Sequence, residues 1–352
     1  MQDTTNDHIG FAEKVKMQEQ KRENTIRWYT ITVDTEEEWD WNSGYPTLSN
    51  SVNNIRALPE FQEACDRFNA RVTYFVNYTV LADDSAATVV MKLAENPNVE
   101  IAMHIHPWNT PPLVQSRTVP VRESFLHNLS RDEAIAKLDS VLNKFLEFGL
   151  HPTSFRGGRY STSTWIQDYL FRQGVVADAS ILPFTTWQDE GAPDFRHRGL
   201  RPHRRDMGPG KHGFWEVPLT LAFTRKNWPF WQRFYEHGQH PIWKALHLIG
   251  IAERTFVNRV WLNLEHPLGE FSDRLLLKLR GHSLPCINFT LHSSSLVPGL
   301  NPYVRSDDDL RQLYKRLEDN LAVLIQWPEF KSATVTEVAH CLESDFHACS
   351  GN

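Results

Sequence analysis

The chain has 352 residues, of which 41% are hydrophobic and 23% charged, and its formal net charge is −6. This composition is typical of a globular protein, and the acidic balance gives no reason to expect nucleic acid as a partner. No apolar run is long enough to span a membrane, and residues 1–24 form a polar leader that lacks the apolar stretch of a signal peptide. We therefore expect a cytoplasmic protein. The four scattered cysteines favour free thiols in a reducing compartment.

The first predicted strand covers residues 26–34 and runs directly into a group of acidic residues. Asp34 is at the tip of this strand, and Glu36 follows it. Carboxylates in this position are costly unless a cation compensates them, and either a metal ion or an arginine could do so. Glu37, Glu38 and Asp40 instead fit a solvated acidic loop.

A later predicted strand ends in two histidines, His104 and His106. It follows helical spacing over 51–69, a strand over 71–77 and a helix over 85–95. Side chains two residues apart in a strand point to the same side. Two imidazoles beside a carboxylate from another strand can hold a divalent metal, although a hydrogen-bonded pair of histidines is the plainer alternative.

Three later strands also end in polar side chains. A helix that begins after Ser130 leads to a strand over 153–156, which runs into a glycine-rich turn between Arg156 and Tyr160. After a helix over 161–172, the next strand ends in Asp178, and the strand over 286–292 ends in His292. A helix over 306–326 and a strand near 333–335 complete the chain.

Strands that alternate with helices predict a parallel sheet with right-handed crossovers. About seven such units indicate a closed or nearly closed β/α barrel, in which catalytic groups lie at the carboxyl ends of the strands. The polar strand ends fall at that edge: Asp34, His104, His106, Arg156, Asp178 and His292. Their shared position favours an enzyme site over a set of core residues.

Two further regions differ from the alternating pattern. Residues 194–212 form a basic loop, which could bind a phosphate or uronate group or could simply be solvated. Residues 223–282 form an insertion that is first aromatic and basic and then has helical spacing as far as Leu264. We interpret it as a helical subdomain, with a lid or a peripheral membrane contact through 223–265 as alternatives.

The order of these motifs resembles that of the polysaccharide deacetylases with the NodB-homology domain. The resemblance rests on Asp34-Thr-Glu36, His104-Ile-His106, the Arg156–Tyr160 turn, Asp178-Ala-Ser and Leu-His292-Ser. The ending from Leu291 to Tyr303 is similar to the WalW-type branch, which is linked to surface-polysaccharide or lipopolysaccharide assembly. The resemblance covers roughly residues 26–340, within a predicted domain of residues 25–345.

This resemblance implies a distorted (β/α)7 barrel that removes the acetyl group from an N-acetylated sugar with the help of a divalent metal. Zinc is expected, with iron, cobalt and nickel as alternatives. The roles that it implies are a general base for Asp34, a partner of that carboxylate for Arg156, a general acid for His292, an oxyanion-binding backbone near Tyr160, and a metal ligand for His104. We also include Asp178 among the catalytic residues, and we expect Trp108, Arg159 and Ser293 to contact a carbohydrate or glycolipid substrate.

The sequence departs from the family pattern at the metal site. Thr35 stands where the family has a second aspartate, so Glu36 is the nearest replacement ligand, and His104 and His106 are closer together than the family's histidines. Asp34 could then be a ligand instead of the base. Two alternatives therefore stay open, a catalytically silent barrel that binds glycans or partner proteins and a metal-independent hydrolase of cyclic amides.

Overall fold

The computed structural model describes residues 26–40, 44–47, 51–113, 118–238 and 259–350. The predicted polar leader, residues 1–24, lies outside these ranges.

The described residues form a mixed α/β fold. The strands are β1 (Arg27–Thr35), β2 (Tyr45–Pro46), β3 (Val72–Val76), β4 (Val99–Ile105), β5 (Thr118–Val119), β6 (Ser154–Gly157), β7 (Ala177–Asp178), β8 (His203–Arg205), β9 (Phe214–Glu216), β10 (Leu221–Phe223), β11 (Arg259–Trp261), β12 (Cys286–His292) and β13 (Phe330–Ser332). The α-helices are α1 (Leu58–Asp66), α2 (Tyr78–Ala82), α3 (Asp84–Ala94), α4 (Arg131–Glu147), α5 (Thr164–Arg172), α6 (Trp228–Gly238), α7 (Ser272–Arg280), α8 (Asp307–Leu324) and α9 (Val335–Ser350).

The main sheet confirms the predicted distorted (β/α)7 barrel. Its strand order is β12-β1-β3-β4-β6-β7-β9-β8, and β13 pairs with β1. The seven strands from β12 to β9 pair in parallel, whereas β8 is antiparallel to β9. Because parallel strands share one carboxyl edge, this sheet brings the ends of all seven together.

The alternation of side chains along the strands separates the barrel interior from the helical layer. Phe75, Ala177 and Trp215 belong to one buried apolar cluster, which α9 completes with Val338 and Leu342. The outward-facing residues pack against the remaining helices in a second, larger cluster. The inner cluster fills the barrel interior below its carboxyl edge.

The barrel closes irregularly between β9 and β12. The backbone N–H of Thr220 donates to the carbonyl of Asn288 at 3.3 Å, and that of Leu264 donates to the carbonyl of Thr290 at 3.0 Å. Asn263 and Thr290 also form an isolated parallel bridge. The segment between β11 and Leu264 therefore fills the gap, and the prediction that helical spacing continues to Leu264 was wrong. The physical reason is that all residues from Val260 to Glu265 are buried, as in an extended segment packed on both sides.

The structure describes the remainder of the predicted insertion only in part. Helices α6 and α7 lie within 223–282, and residues 239–258 are outside the described ranges. The strand predicted near 333–335 lies three residues earlier, as β13, and the chain continues in helix α9, which begins at Val335 and was not predicted. Among the helices that the structure describes, none has the length and apolar character needed to cross a membrane. All four cysteines are described, and their thiols are free.

Candidate active site

Three side chains at the carboxyl edge of the sheet form a group that could hold a metal ion. They are Glu36, His104 and His106, and all three are buried. The Oε2 atom of Glu36 is 3.3 Å from Nε2 of His104 and 3.1 Å from Nε2 of His106. The two Nε2 atoms are 3.2 Å apart. One carboxylate oxygen and two imidazole nitrogens thus converge on one point.

The other ring nitrogen of each histidine is already occupied. Nδ1 of His104 donates to the backbone carbonyl of Arg156 at 2.7 Å. Nδ1 of His106 donates to Oε1 of Glu37 at 2.8 Å, and Oε2 of Glu37 accepts from Asn77 Nδ2 at 2.5 Å. Such partners orient imidazoles for metal binding and direct the Nε2 atoms toward the shared point. Glu37 is 1% exposed, so its interpretation as a solvated acid was wrong.

The electrostatics of this group demand a positive charge. Burial alone lowers the pKa of His106, but the carboxylates of Glu37 and Glu36 outweigh it and raise that pKa to about 10. Burial likewise raises the pKa of Glu36, but His106 and His292 reverse the effect, and the net pKa is lowered. Two buried carboxylates therefore favour a positive charge at this point, which either a proton or a metal ion could supply.

Asp34 and Arg156 form a buried ion pair beside the metal-binding group. Nη1 of Arg156 is 2.5 Å from Oδ1 of Asp34, and Nη2 donates to the hydroxyl of Thr32 at 2.9 Å. Its Nε donates to the carbonyl of Ala179 at 3.0 Å, and the guanidinium lies 4.4 Å from the ring centre of Phe75. Arg156 therefore holds one oxygen of Asp34, while the other, Oδ2, faces His292 Nε2 at 3.9 Å.

His292 is held by a carboxylate that the sequence analysis missed. Nδ1 of His292 is 2.5 Å from Oε1 of Glu265, and the backbone N–H of His292 donates to Oε2 at 2.8 Å. Burial lowers the pKa of His292, but Glu265 together with Glu36 and Asp34 raises it to about 10. Glu265 follows the extended segment that closes the barrel, so it too lies at a strand end. The position of Glu265 after a short apolar segment was visible in the sequence, but it was not recognised because that segment was interpreted as helical.

The glycine-rich turn packs directly against the metal-binding group. A Cβ atom on Gly158 would lie 2.3 Å from Cδ2 of His106, and one on Gly157 would lie 1.9 Å from the carbonyl oxygen of Ser161. The next two residues, Arg159 and Tyr160, have positive φ angles of 52° and 60°. This rarely occupied conformation places both side chains on the pocket wall.

A cavity of about 510 Å³ is lined by the polar side chains of Asp34, Glu36, His104, His106 and His292. Its walls are largely aromatic: Trp39, Tyr45, Trp108, Phe125, Tyr160, Trp187, Trp261, His266 and Tyr303. Trp108 stacks on His106 with ring centroids 4.0 Å apart. Tyr160 is partly buried, and burial together with the charge of Asp34 raises the pKa of its phenol, so the hydroxyl stays protonated at neutral pH.

Besides Arg156, which is buried behind Asp34, two predicted site residues do not line the cavity. Asp178 pairs with Phe155 across the sheet, one residue before the inward-facing Arg156, so it points outward. There it accepts hydrogen bonds from Nε2 of Gln167 at 2.8 Å and from the hydroxyl of Thr162 at 2.5 Å, and burial raises its pKa. The hydroxyl of Ser293 accepts from the backbone N–H of Glu36 at 3.1 Å and is fully buried. Asp178 therefore lies on the helix side of the sheet, and Ser293 contacts the backbone at Glu36 without lining the cavity.

The basic loop is largely paired within the protein. Arg198 contacts Glu216, Arg204 contacts Glu343, and Arg205 contacts Asp168. These pairs favour the interpretation as a structural surface loop over an anion-binding one. A second group that could hold a metal lies nearby, formed by His212, Glu343 and His347. Its histidines are exposed, and Glu343 is already held by Arg204.

Comparison with known proteins supports the fold. No protein-family model matches the chain, and no curated protein sequence matches it. A solved structure from Mycobacterium smegmatis, provisionally named a polysaccharide deacetylase, has a TM-score of 0.54 at 13% sequence identity, and the match covers 92% of each chain.

Two more distant structures also match. One is a 4-alpha-glucanotransferase from Thermococcus litoralis, with a TM-score of 0.46 at 9% identity over 89% of this chain and 40% of that one. The other, from Bordetella bronchiseptica, is provisionally named a polysaccharide deacetylase involved in O-antigen biosynthesis, with a TM-score of 0.37 at 11% identity over 90% and 89% of the two chains. The Mycobacterium smegmatis likeness shows that this chain has the fold of a polysaccharide deacetylase-like barrel.

Proposed function

We propose that this protein is a metal-dependent N-deacetylase of the polysaccharide deacetylase type, which hydrolyses the acetamido group of a sugar. The observation that carries the proposal is the convergence of Glu36 Oε2 with the Nε2 atoms of His104 and His106, all within 3.3 Å of one another. The pairs Asp34–Arg156 and His292–Glu265 adjoin this group. The likeness in fold to the Mycobacterium smegmatis protein supports the same assignment.

The donor set fits a divalent metal. Two imidazole nitrogens and one carboxylate oxygen suit zinc, and they also suit iron, cobalt or nickel. Glu36, His104 and His106 would hold the ion, and Glu37 and the carbonyl of Arg156 would fix the two imidazoles. When bound, such an ion acts as a Lewis acid and lowers the pKa of a water ligand from 15.7 to about 7.

Asp34 is suited to act as the general base. Arg156 binds its Oδ1 atom and keeps the carboxylate in one orientation, which leaves Oδ2 directed toward the cavity side of His292. A carboxylate fixed in this way can take a proton from a nucleophilic water without turning away from it. Arg156 is completely buried and acts through Asp34, so it is a positioning residue.

His292 is suited to act as the general acid. Its raised pKa of about 10 keeps the imidazole protonated at neutral pH, and Glu265 fixes Nδ1 so that Nε2 carries the proton toward the cavity. Nε2 can then donate to the nitrogen of the departing amine. Tyr160, through its phenol O–H or the adjacent backbone, would stabilise the negative charge that develops on the acetyl oxygen.

Several finer features belong to the same proposal. We expect the substrate to be a cell-surface polysaccharide, a lipopolysaccharide or its lipid-linked precursor, as in the WalW-type branch, and we expect the enzyme to work in the cytoplasm. Helix α6 supports a peripheral membrane contact, because Phe230 on it is 53% exposed next to Trp231, and Lys226 precedes the helix.

The test combines metal analysis with an acetate-release assay. We expect the purified protein to bind about one equivalent of a divalent metal, to lose it in a His104→Ala/His106→Ala variant, and to release acetate from N-acetylated glycans only when loaded. His347→Ala is the matched control, because it removes a ligand of the second candidate group and should leave the metal content unchanged.

Two results would contradict the proposal. If the protein binds glycans but neither metal nor acetate release is found after reconstitution, the silent barrel is correct. If a cyclic amide is hydrolysed at the same rate in the double-histidine variant as in the wild type, the metal-independent hydrolase is correct.

A further inference from the structure

A second cavity lies at the amino ends of the strands, opposite the candidate active site. Its volume is about 670 Å³, and its lining includes Arg27 at the start of β1 and Pro285 directly before β12. The same two strands carry Asp34 and His292 at their carboxyl ends. Because extended chain rises about 3.3 Å per residue, Arg27 and Asp34 are about 23 Å apart. A small ligand in this amino-end cavity would therefore not touch the candidate active site.

The amino-end cavity has an excess of positive charge. Three arginines line it, Arg27, Arg201 and Arg280, and Glu329 is the one carboxylate among its lining residues. Burial and the charges of neighbouring cations lower the pKa of His282, which also lines the cavity, so this imidazole is neutral at neutral pH. Three guanidinium groups against one carboxylate leave two positive charges without a negative counterpart in the lining.

Arg27 is a buried cation that forms hydrogen bonds only to neutral groups among the described residues. It is 7% exposed. Its guanidinium donates to four backbone carbonyls at 2.6–3.0 Å, those of Leu279, Arg280, His282 and Leu284. Burial and the charge of Arg280 lower the pKa of Arg27 to about 10, although Glu329 opposes this effect. An anion in the cavity would stabilise this buried charge.

The other two arginines retain N–H groups for a ligand. Arg201 differs from the paired arginines of the basic loop, because its Nη2 donates to the carbonyl and the hydroxyl of Ser283 at 2.7 and 2.9 Å and to no carboxylate within the described ranges. Arg280 donates through Nε to Glu329 at 2.8 Å, and no described residue accepts from its Nη atoms. Exposed arginines are often solvated, so neither is informative alone. Their convergence with buried Arg27 on one cavity is the informative feature.

We propose that the amino-end cavity binds the phosphate group of a small organic phosphate. The inference is independent of the proposed deacetylase function. A phosphomonoester carries nearly two negative charges at neutral pH, which matches the excess in the lining, and guanidinium groups bind phosphate oxygens in a bidentate manner. The volume is in the range of sites for small organic ligands, and Leu284, Pro285 and Pro328 offer apolar surface to the organic part.

The test measures binding of phosphate-bearing probes by calorimetry. The probes are glycerol 3-phosphate, inorganic phosphate and glycerol, titrated into the full-length protein. We expect glycerol 3-phosphate to bind more tightly than inorganic phosphate, and glycerol to show no binding. Arg201→Gln and Arg280→Gln should each weaken the binding of glycerol 3-phosphate about tenfold, because each removes a charged hydrogen-bond donor. Both residues are exposed, so neither substitution should prevent folding.

Two controls separate this site from other sources of phosphate binding. Arg311→Gln removes an exposed arginine of α8 and should leave the affinity unchanged. The His104→Ala/His106→Ala variant should bind glycerol 3-phosphate as tightly as the wild type, whether or not the deacetylase proposal is correct. Loss of binding in that variant would place the phosphate in the candidate active site and overturn the inference. No binding of glycerol 3-phosphate, a preference for inorganic phosphate, or equal weakening in Arg311→Gln would also overturn it.

Discussion

Gly158 lies against His106 so closely that a Cβ atom at this position would be 2.3 Å from Cδ2 of the imidazole and 2.6 Å from the carbonyl oxygen of Ile105. The glycine-rich turn is therefore part of the support of a proposed metal ligand, because no side chain fits between the turn and the ring. This relationship leads to the first prediction.

Gly158→Ala should weaken metal binding about 10- to 100-fold, because the added methyl group displaces the imidazole that Glu37 and Trp108 otherwise fix. Competition with a chelator of known affinity measures the change. Gly199→Ala is the control, since a Cβ atom there meets nothing within 4 Å. Equal metal affinities of the two variants would show that the contact is not needed to position His106.

Glu37→Gln should also lower metal affinity, by about tenfold or more, since a neutral amide polarises His106 less than a carboxylate does. The same chelator competition applies. Glu38→Gln is matched to it, because Glu38 is adjacent in the chain but accepts a hydrogen bond from the backbone N–H of Asn54 and not from a histidine. A similar loss in both variants would indicate a general effect of the acidic loop.

Glu265→Gln should shift the alkaline limb of the pH profile of kcat/KM. The raised pKa of His292, about 10, keeps the proposed acid protonated until the pH rises through that value. Removal of the Glu265 charge should move the limb down by about one pH unit or more. An unchanged limb would show that His292 is not the titrating acid.

The ion pair between Glu265 and His292 also makes the free energy of unfolding depend on pH. Because the folded-state pKa of His292 is raised above the ordinary value of 6.5, its contribution to the free energy of unfolding is fully present below that value and is lost as the pH rises through about 10. Glu265→Gln should therefore flatten the fall in stability between these two pH values, as measured by urea denaturation at several pH values.

Arg156→Lys should reduce the free energy of unfolding by about 3 kcal/mol, because a lysine cannot replace the separate hydrogen bonds to Asp34, Thr32 and Ala179 in a fully buried site. Chemical denaturation measures the loss. Arg67→Lys is the control, because its ion pair with Glu318 is exposed, and the expected change is within about 0.5 kcal/mol. A loss of similar size in the control would contradict the argument from burial.

The sequence predicted those parts of the site that depend on a simple rule. Alternation along a strand placed His104 and His106 on one side, and the shared carboxyl edge brought them toward Asp34 and His292. Asp178 shows the limit of that rule, because a strand end defines a position along the sheet but not which face a side chain points to. One residue of register separates Asp178 from the interior.

Glu265 was missed for a different reason. Its segment is mostly apolar, and a short buried run has no periodicity that distinguishes a strand from a helix. Pairing with residues distant in sequence, Val260 with Ala222 and Asn263 with Thr290, makes the segment extended. Helix α9 was not recognised either. The strand expected near 333–335 ends at Ser332, and α9 begins at Val335, within the range that was assigned to the strand.

The antiparallel pairing of β10 with β11 places Phe223 directly opposite Arg259. The chain therefore leaves the barrel after Phe223 and returns to it at Arg259, at neighbouring points. A connection whose two ends lie side by side can change in length at little cost in free energy. It could be lengthened, shortened or exchanged during evolution, or in an engineered chimaera, without moving the segment that delivers Glu265 to His292.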